Sequence, residues 1–574
     1  MAVFGTGAAT TSYEEFEHTD VIICWGRNTQ ECHPIIYNHM RRGMKNGAKM
    51  VVIDPRKIDQ AKRADKWLPV RVGTDIALAN AMAHVIIEED LYDKSFVERA
   101  TENFEAFREK VAGYSPERAE KITGIPADDI REVARMYAKA DKATLNWTLG
   151  ITEHHNGLDG VFALINLGLL SGHVGKYGSG LNPLRGQNNV QGGGDMGALP
   201  NRLVGGWNWD DPEAQENFGR VWGAPIPPKV GKNQAEILDA MEAGEIRAMY
   251  VIGENPCQSD ADENHSSKLF GNLDFLVVQD IFLTKTGRLA DVVLPAAASW
   301  AESDGTFVNG ERRVQRVRKA VEPPGEARPD EEILTAVANR MGAGWSYERP
   351  EDIWNEIRAL APNFSGITYE RLDKYGGIQW PCLDGSIEEI SDNTPKEQLA
   401  AGTVGTHDKG TTAVTADVED KPQVGTKFMH AQLWAEEVEK RAPFHPVDHE
   451  GPVEMPDEAY PFQLTTGRRL AFYNTGTMTQ DYKKVKDAEE LLEITEEDAG
   501  KLGVDDGEMV KVSSRRGTIN VKARVTDKVS PGLVFLGYHF PEDAPVNQLT
   551  INAVDPRSGT AEFKACAVKI EPVV

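Results

Sequence analysis

The sequence predicts an α/β protein in which two related lobes face each other across a cleft, followed by a C-terminal β-barrel-like domain. Three observations predict it. Residues 20–65 and 248–291 carry an internal repeat; short strands separated by turn signals dominate from residue 460 onward; and 574 residues exceed what one hydrophobic core supports. Composition is that of an ordinary globular chain, 40% apolar and 26% charged. No run of 18 apolar residues occurs, which excludes a transmembrane helix. The formal net charge of −26 has the wrong sign for a dedicated nucleic-acid binder, so an anionic ligand must be met by local cations and backbone N–H groups.

Taken in order, DVIICWG (20–26) reads as a strand running into a glycine turn, 31–46 as a helix and AKMVVID (48–54) as a second strand ending on an acid. AMYVIGEN (248–255), a polar helix through 259–270 and FLVVQD (275–280) repeat that unit. Gly26-Arg27-Asn28 corresponds to Gly253-Glu254-Asn255, and the acid follows 28 residues after the glycine in one unit and 27 in the other. Eleven residues beyond each acid stands another, in ADKWLP (64–69) and ADVVLP (290–295). The parts are nucleotide-like: glycine lets backbone approach a phosphate, and an acid ending the second strand can grip hydroxyls or a base edge. A duplicated lobe with no ligand is the plainer alternative.

Between the repeats, 76–140 reads as helical, and TLNWTLGITEHH (144–155) as a strand entering a loop. Residues 301–395 read as mixed and mostly helical, and 396–458, rich in Gly, Thr, Pro and acids, as a long connection wrapping the surface. The expected division is 1–187 for the first α/β domain, 188–300 for the second, 301–395, 396–458, and 459–574 for the barrel. The five cysteines (24, 32, 257, 382 and 566) show no CxxC spacing, so neither a disulfide framework nor a metal site is readable; each is expected to be a small buried residue in a reducing cytoplasm. His154-His155 lacks a third ligand at useful spacing and reads as a loop pair.

NPLRGQNNVQGGGDMGALP (182–200) is the densest motif, with glycines, amide side chains, one Arg and one Asp, and little to bury. Ordering so polar a loop costs entropy that apolar burial does not offset, which favours a ligand cradle with Arg185 as a planar fork for a carboxylate or phosphate. Together with VVIDPRKIDQA (51–61), GTDIALANAMAHVIIEE (73–89), GENPCQSD (253–260), VVQDIFLTKTGRLADVVLP (277–295), GIQWPC (377–382) and TTGRRLAFYNTGTMT (465–479), the motif strongly resembles the catalytic subunits of molybdopterin-dependent formate dehydrogenases. These are bis(molybdopterin guanine dinucleotide) oxidoreductases, and the resemblance runs from about residue 4 to 572.

The resemblance implies oxidation of formate to CO2 at a molybdenum or tungsten bis(molybdopterin guanine dinucleotide) centre, and a double-psi-like form for the barrel. Gly26, Asn28, Glu31, Asp54, Arg56, Gly73 and Asp75 would line one dinucleotide; Gly253, Asn255, Gln279, Asp280 and Thr284 the other. Arg468, Asn474, Thr475, Asn547 and Lys564 would close over the pterins, with Gly186 and Gln187 against the pterin and Arg185 orienting formate. The family's 4Fe–4S cysteines, its cluster-bridging lysine and its metal-ligating Cys or Sec have no counterpart here, so the resemblance places them on a missing or separately encoded N-terminal part. The remaining Cys32-His33 pair falls at a dinucleotide position and is not promoted to a metal ligand. An electron-transfer subunit and a cytoplasmic location are further expectations. Two rival readings stand: a nitrate reductase of the same family, and a pterin-free structural subunit related to the complex I large subunit.

Overall fold

The computed structural model describes residues 2–383, 425–479 and 488–573. Its first unit is a parallel sheet of β1 (Val21–Trp25), β2 (Lys49–Ile53), β3 (Lys66–Leu68), β5 (Ala143–Trp147) and β6 (Gly180–Pro183), in the order β3-β2-β1-β5-β6. The strands read as near-continuous apolar runs because both faces are covered. Ile23, Trp25, Val51 and Ile53 pack on one side, and Ile22, Cys24, Met50 and Val52 on the other.

The repeat is structural. β7 (Ala248–Ile252), β8 (Phe275–Asp280) and β9 (Val292–Pro295) form a second parallel sheet, in which Ile252 pairs with Gln279 as Trp25 pairs with Ile53. Gly26 N donates to Ile53 O and Gly253 N to Gln279 O, both at 2.8 Å, with φ of +59° and +62°. The last acid of each repeat locks strands together: Asp65 accepts from Met50 N at 2.9 Å and Asp291 from Leu276 N at 2.8 Å. Each expected helix is broken in two. Thr29–Cys32 stops at His33 because the residue before Pro34 is disfavoured in the helical region, and Pro34–Lys45 follows. In the second lobe Pro256–Ser259 and Glu263–Gly271 are separated by Asp262 at φ +52°.

The C-terminal unit is a closed six-stranded barrel ordered β14-β18-β15-β17-β16-β19: β14 (Phe462–Gly467), β18 (Leu533–Gly537), β15 (Leu491–Ile494), β17 (Thr518–Val525), β16 (Met509–Ser513) and β19 (Cys566–Pro572). Alternating residues such as Val510, Val512, Ile519 and Val521 fill it. β10 (Gly305–Val308), β11 (Arg313–Val317) and β12 (Ile378–Gln379) form an antiparallel sheet beside the helices Pro350–Leu360 and Tyr369–Tyr375.

Three local expectations change, those for the loop after β5, the glycine-rich motif and the connection over 396–458. The loop after β5 contains a short helix, Leu149–Thr152, and the glycine-rich motif contains Val190–Asp195. The Gly/Thr-rich start of the chain lies along β6, with Thr10 N donating to Leu181 O at 3.2 Å and Thr11 Oγ1 to Asn182 Oδ1 at 3.0 Å. Of the connection expected over 396–458, residues up to 424 lie outside the described residues, as do 384–395. The rest does not merely wrap the surface: β13 (Ala442–Pro443) pairs in parallel with β4 (Thr101–Glu102), and Phe444 stacks on Phe107 with ring centroids 4.8 Å apart. Burying isolated aromatics leaves no periodic signal, which is why composition alone suggested a loop. No helix among the described residues is long and apolar enough to cross a membrane.

Two predictions follow from these contacts. An alanine Cβ at Gly26 would sit 2.9 Å from the backbone of Gly150, whereas one at Gly253 meets nothing within 4 Å. Gly253→Ala should therefore cost about 1–2 kcal/mol from its positive φ alone, and Gly26→Ala clearly more, as read from chemical unfolding midpoints. Arg312 is fully buried and donates to Ala9 O, Thr426 O and Lys427 O at 2.9 Å each and to Trp380 O. Arg312→Met strands those carbonyls and should lower stability by about 3–5 kcal/mol in the same assay.

Candidate functional site

In a parallel sheet of this order, the strand order reverses at β1, which has β2 on one side and β5 on the other. The crevice beyond the carboxyl ends of β1 and β5 is where such sheets bind ligands. Gly26 ends β1 there, and its carbonyl accepts from Gly150 N at 3.2 Å and Thr148 Oγ1 at 3.1 Å. A cavity of about 120 Å³ opens at this point, lined by the 26–28 turn, Asp54, Arg56, Gly73, Asp75 and, from the barrel side, Arg468 and Lys564. Beside it runs a cleft of about 1140 Å³ between both α/β sheets and the barrel. Cys32, Thr148, Leu149, Thr466, Arg468 and Tyr538 border both spaces, so they form one continuous site.

Arg185 enters the large cleft from the loop after β6. Its Nη2 donates to Gly7 O at 2.6 Å and its Nε to Gln191 Oε1 at 2.9 Å, while Nη1 makes no hydrogen bond among the described residues. Burial holds this guanidinium below its usual range, with Asp195 acting in the opposite direction. Burial likewise pulls His33 down to about 3, with the nearby Arg27 adding to the effect. The ring is therefore neutral, and because a carbonyl can only accept, its Nε2–H donates to Arg185 O at 2.7 Å.

The structure brings together nearly all the residues singled out in the sequence, but it engages many of their side chains within the protein. Gly186, Gln187, Gly253, Asn255, Gln279, Asp280, Thr284, Asn474, Thr475 and Asn547 line the large cleft. Glu31 borders neither space; its backbone N–H is capped by Asn28 Oδ1 at 3.3 Å. Arg56 donates to Glu493 Oε2 at 2.7 Å and lies 3.3 Å over the Phe535 ring, tying the first lobe to the barrel. Lys564 pairs with Glu153 at 2.8 Å.

Several of these side chains brace the strand ends and turns. Asp75 accepts from Trp25 Nε1 at 2.8 Å, and Asp54 and Asp280 cap the turns after their strands through Arg56 N and Phe282 N, both at 2.9 Å. Burial pushes Asp54 up to about 6. In the second lobe, Gln279 joins Tyr250 to Asp330, Asn255 holds Thr286 N at 3.1 Å, and Thr284 Oγ1 accepts from Gly287 N at 3.0 Å. Asn547 donates to Gln258 O at 3.0 Å, and Gln258 Nε2 to Thr475 O at 2.7 Å, which closes the barrel onto that lobe. Asn474 takes φ +46°, and Arg468 Nε donates to Phe472 O at 3.1 Å.

Sequence reasoning missed Arg27. It is 2% exposed, and its Nε, Nη1 and Nη2, like Asn28 Nδ2, have no hydrogen-bond partner among the described residues. Burial lowers Arg27 to about 10. Its signal was present in the sequence as a cation inside a glycine turn. Buried donors without an acceptor are costly, and a set of N–H donors without a matching acid beside a glycine turn fits a phosphate-bearing anionic group. Cys32, expected to be buried, is half-buried on the cleft wall; the other four cysteines are buried, and no disulfide joins any of the five among the described residues. His154 and His155 share the buried Glu562, each at 3.2 Å, and no group of three metal-ligating side chains occurs among the described residues.

The comparisons with known proteins agree with this geometry. The model of the molybdopterin oxidoreductase family matches residues 3–340, and that of the molydopterin dinucleotide binding domain matches 462–567, the barrel. The F420-dependent formate dehydrogenase subunit alpha of Methanocaldococcus jannaschii is 44% identical, over 100% of this chain and 79% of its own length. Formate dehydrogenase H of Escherichia coli is 39% identical, over 99% of this chain and 75% of its own length. The solved structure of acetylene hydratase from Pelobacter acetylenicus shares the fold, with a TM-score of 0.71 at 20% identity, over 98% of this chain and 79% of that one. Two α/β lobes and a barrel closing on a donor-lined cleft, with family matches over both parts, place the chain in the molybdopterin oxidoreductase family, among the formate dehydrogenase alpha subunits.

Proposed function

We propose that this chain oxidises formate to CO2, as the pterin-holding part of a formate dehydrogenase catalytic subunit. The observation that carries the reading is Arg185: a guanidinium fixed at Nε and Nη2, with Nη1 open, on the wall of the large cleft. A fork so held suits a planar carboxylate.

The residues present fit a bis(molybdopterin guanine dinucleotide). Gly26, Arg27, Asn28 and Asp75 would hold one dinucleotide at the switch point, and Gly253, Asp280 and Thr475 the other in the second lobe. Arg468, at the border of both spaces, would meet the pterin side, while Lys564, paired with Glu153, ties the barrel to the first lobe beside it. When bound, that group supplies two-electron redox chemistry at molybdenum or tungsten. The chain's own part is orientation. With both formate oxygens toward Arg185, the C–H bond points away from the guanidinium into the cleft. His33 holds the Arg185 carbonyl, so the loop presenting the fork is fixed at both backbone and side chain. An iron–sulfur cluster and an electron-transfer partner would take up the electrons. Sparse cysteines with no disulfide among the described residues suit a cytoplasmic setting.

Arg185→Lys keeps the charge and loses the fork. In formate-dependent dye reduction, kcat/KM should fall about a hundredfold at unchanged cofactor content. An unchanged value removes Arg185 from the reaction. Assayed in one preparation, formate oxidation without nitrate reduction is expected; the reverse result selects the nitrate reductase reading.

A further inference from the structure

Arg185 is one end of a chain of hydrogen bonds that runs back to Trp380, the residue after β12 of the antiparallel sheet. Its Nε donates to Gln191 Oε1 at 2.9 Å; Gln191 Nε2 donates to Asp195 Oδ1 at 2.7 Å; and Trp380 Nε1 donates to Asp195 Oδ2 at 2.8 Å. Gln191 and Asp195 stand four residues apart in the helix Val190–Asp195, on one face, and Gln191 is buried. The order of donors fixes the amide. Turned over, the Gln191 NH2 would face the guanidinium N–H and its oxygen the carboxylate, so only one orientation is compatible with both neighbours.

The helix is itself docked. Asn189, at φ +60°, accepts from Val308 N at 2.9 Å, and a Cβ on Gly192 would approach Asn189 Oδ1 to 2.1 Å, so the glycine there is a packing requirement. Trp380 is anchored at its backbone, with N donating to Arg312 O at 3.1 Å and O accepting from Arg312 Nη1. The relay therefore starts on a fixed residue, ends on the fork, and consumes the Nε edge of Arg185 while leaving Nη1 open.

We propose that Gln191 and Asp195 are positioning residues for formate: held from Trp380, they set the plane and rotamer of Arg185 so that its free end meets the carboxylate. The proposal rests on the reading that Arg185 receives formate. It also accounts for two motifs that no other part of the site explains, the VQGGGD half of the glycine-rich loop and the tryptophan of GIQWPC.

The test is a double-mutant cycle in the loaded enzyme, read as the formate dissociation constant by calorimetry on fully reduced protein, where turnover does not proceed, and as KM and kcat in the oxidative assay. Gln191→Met preserves volume and removes both links. It should raise the dissociation constant and KM about tenfold, with kcat changed less, and should add nothing further in an Arg185→Lys background. Asp195→Asn, nearly isosteric, removes one of the two acceptors and should shift binding in the same direction by less; it decides the question if Gln191→Met does not assemble. Unchanged formate binding in these variants, or an equal rise in both backgrounds, overturns the relay. If Arg185→Lys alone leaves formate binding unchanged, the reading beneath the proposal fails instead.

Discussion

The Arg312 guanidinium lies in the interior and donates to backbone carbonyls of Ala9, Trp380, Thr426 and Lys427, which come from three stretches far apart in sequence. A buried cation is tolerated only when its donors are met, and here carbonyl dipoles meet them, with Glu15, Glu311 and Asp195 close enough to favour the charge. Both supports of Arg185 trace back to this residue. Ala9 belongs to the N-terminal stretch whose Gly7 carbonyl takes Arg185 Nη2, and Trp380 holds the Asp195 that holds Gln191. One packing constraint therefore sets the geometry of the fork from two sides.

The net charge of −26 and a cleft built for an anion are reconciled by local arrangement. Arg56 and Lys564 are neutralised by Glu493 and Glu153, and these pairs bind the first lobe to the barrel. Their contribution is cohesion, since a pair already formed has little left for a ligand. Arg27 differs: it has burial without a carboxylate or a hydrogen-bond acceptor, and sits in the glycine turn at the switch point. Charge is placed where the backbone already offers donors, and the acidic surface does not reach it.

The duplicated lobes show how far a repeat can be read. Gly26 and Gly253, Asp54 and Asp280, and Asp65 and Asp291 occupy equivalent places with equivalent hydrogen bonds. Spacing exposed them because each lies within one βαβ unit, where the distance along the chain is tied to the distance in space. Spacing did not say which copies were free to bind. Gln279 is engaged by Tyr250 and Asp330, and Asn255 by Thr286, although both line the cleft.

Sequence by itself determined the class of fold, the duplication, the barrel and the position of Arg185 in its loop, since each rests on local periodicity, on turn chemistry or on one compact motif. Only the tertiary structure decided what holds the fork: Gly7 lies 178 residues from Arg185, and Asp195 lies 185 residues from Trp380. It also decided that the aromatic residues near 444 belong to the first lobe's core, and that Arg27 is a buried donor without an acceptor. Contacts of this range obey no period along the chain. They depend on which surfaces meet once the lobes, the antiparallel sheet and the barrel have packed, and a linear pattern carries no record of that.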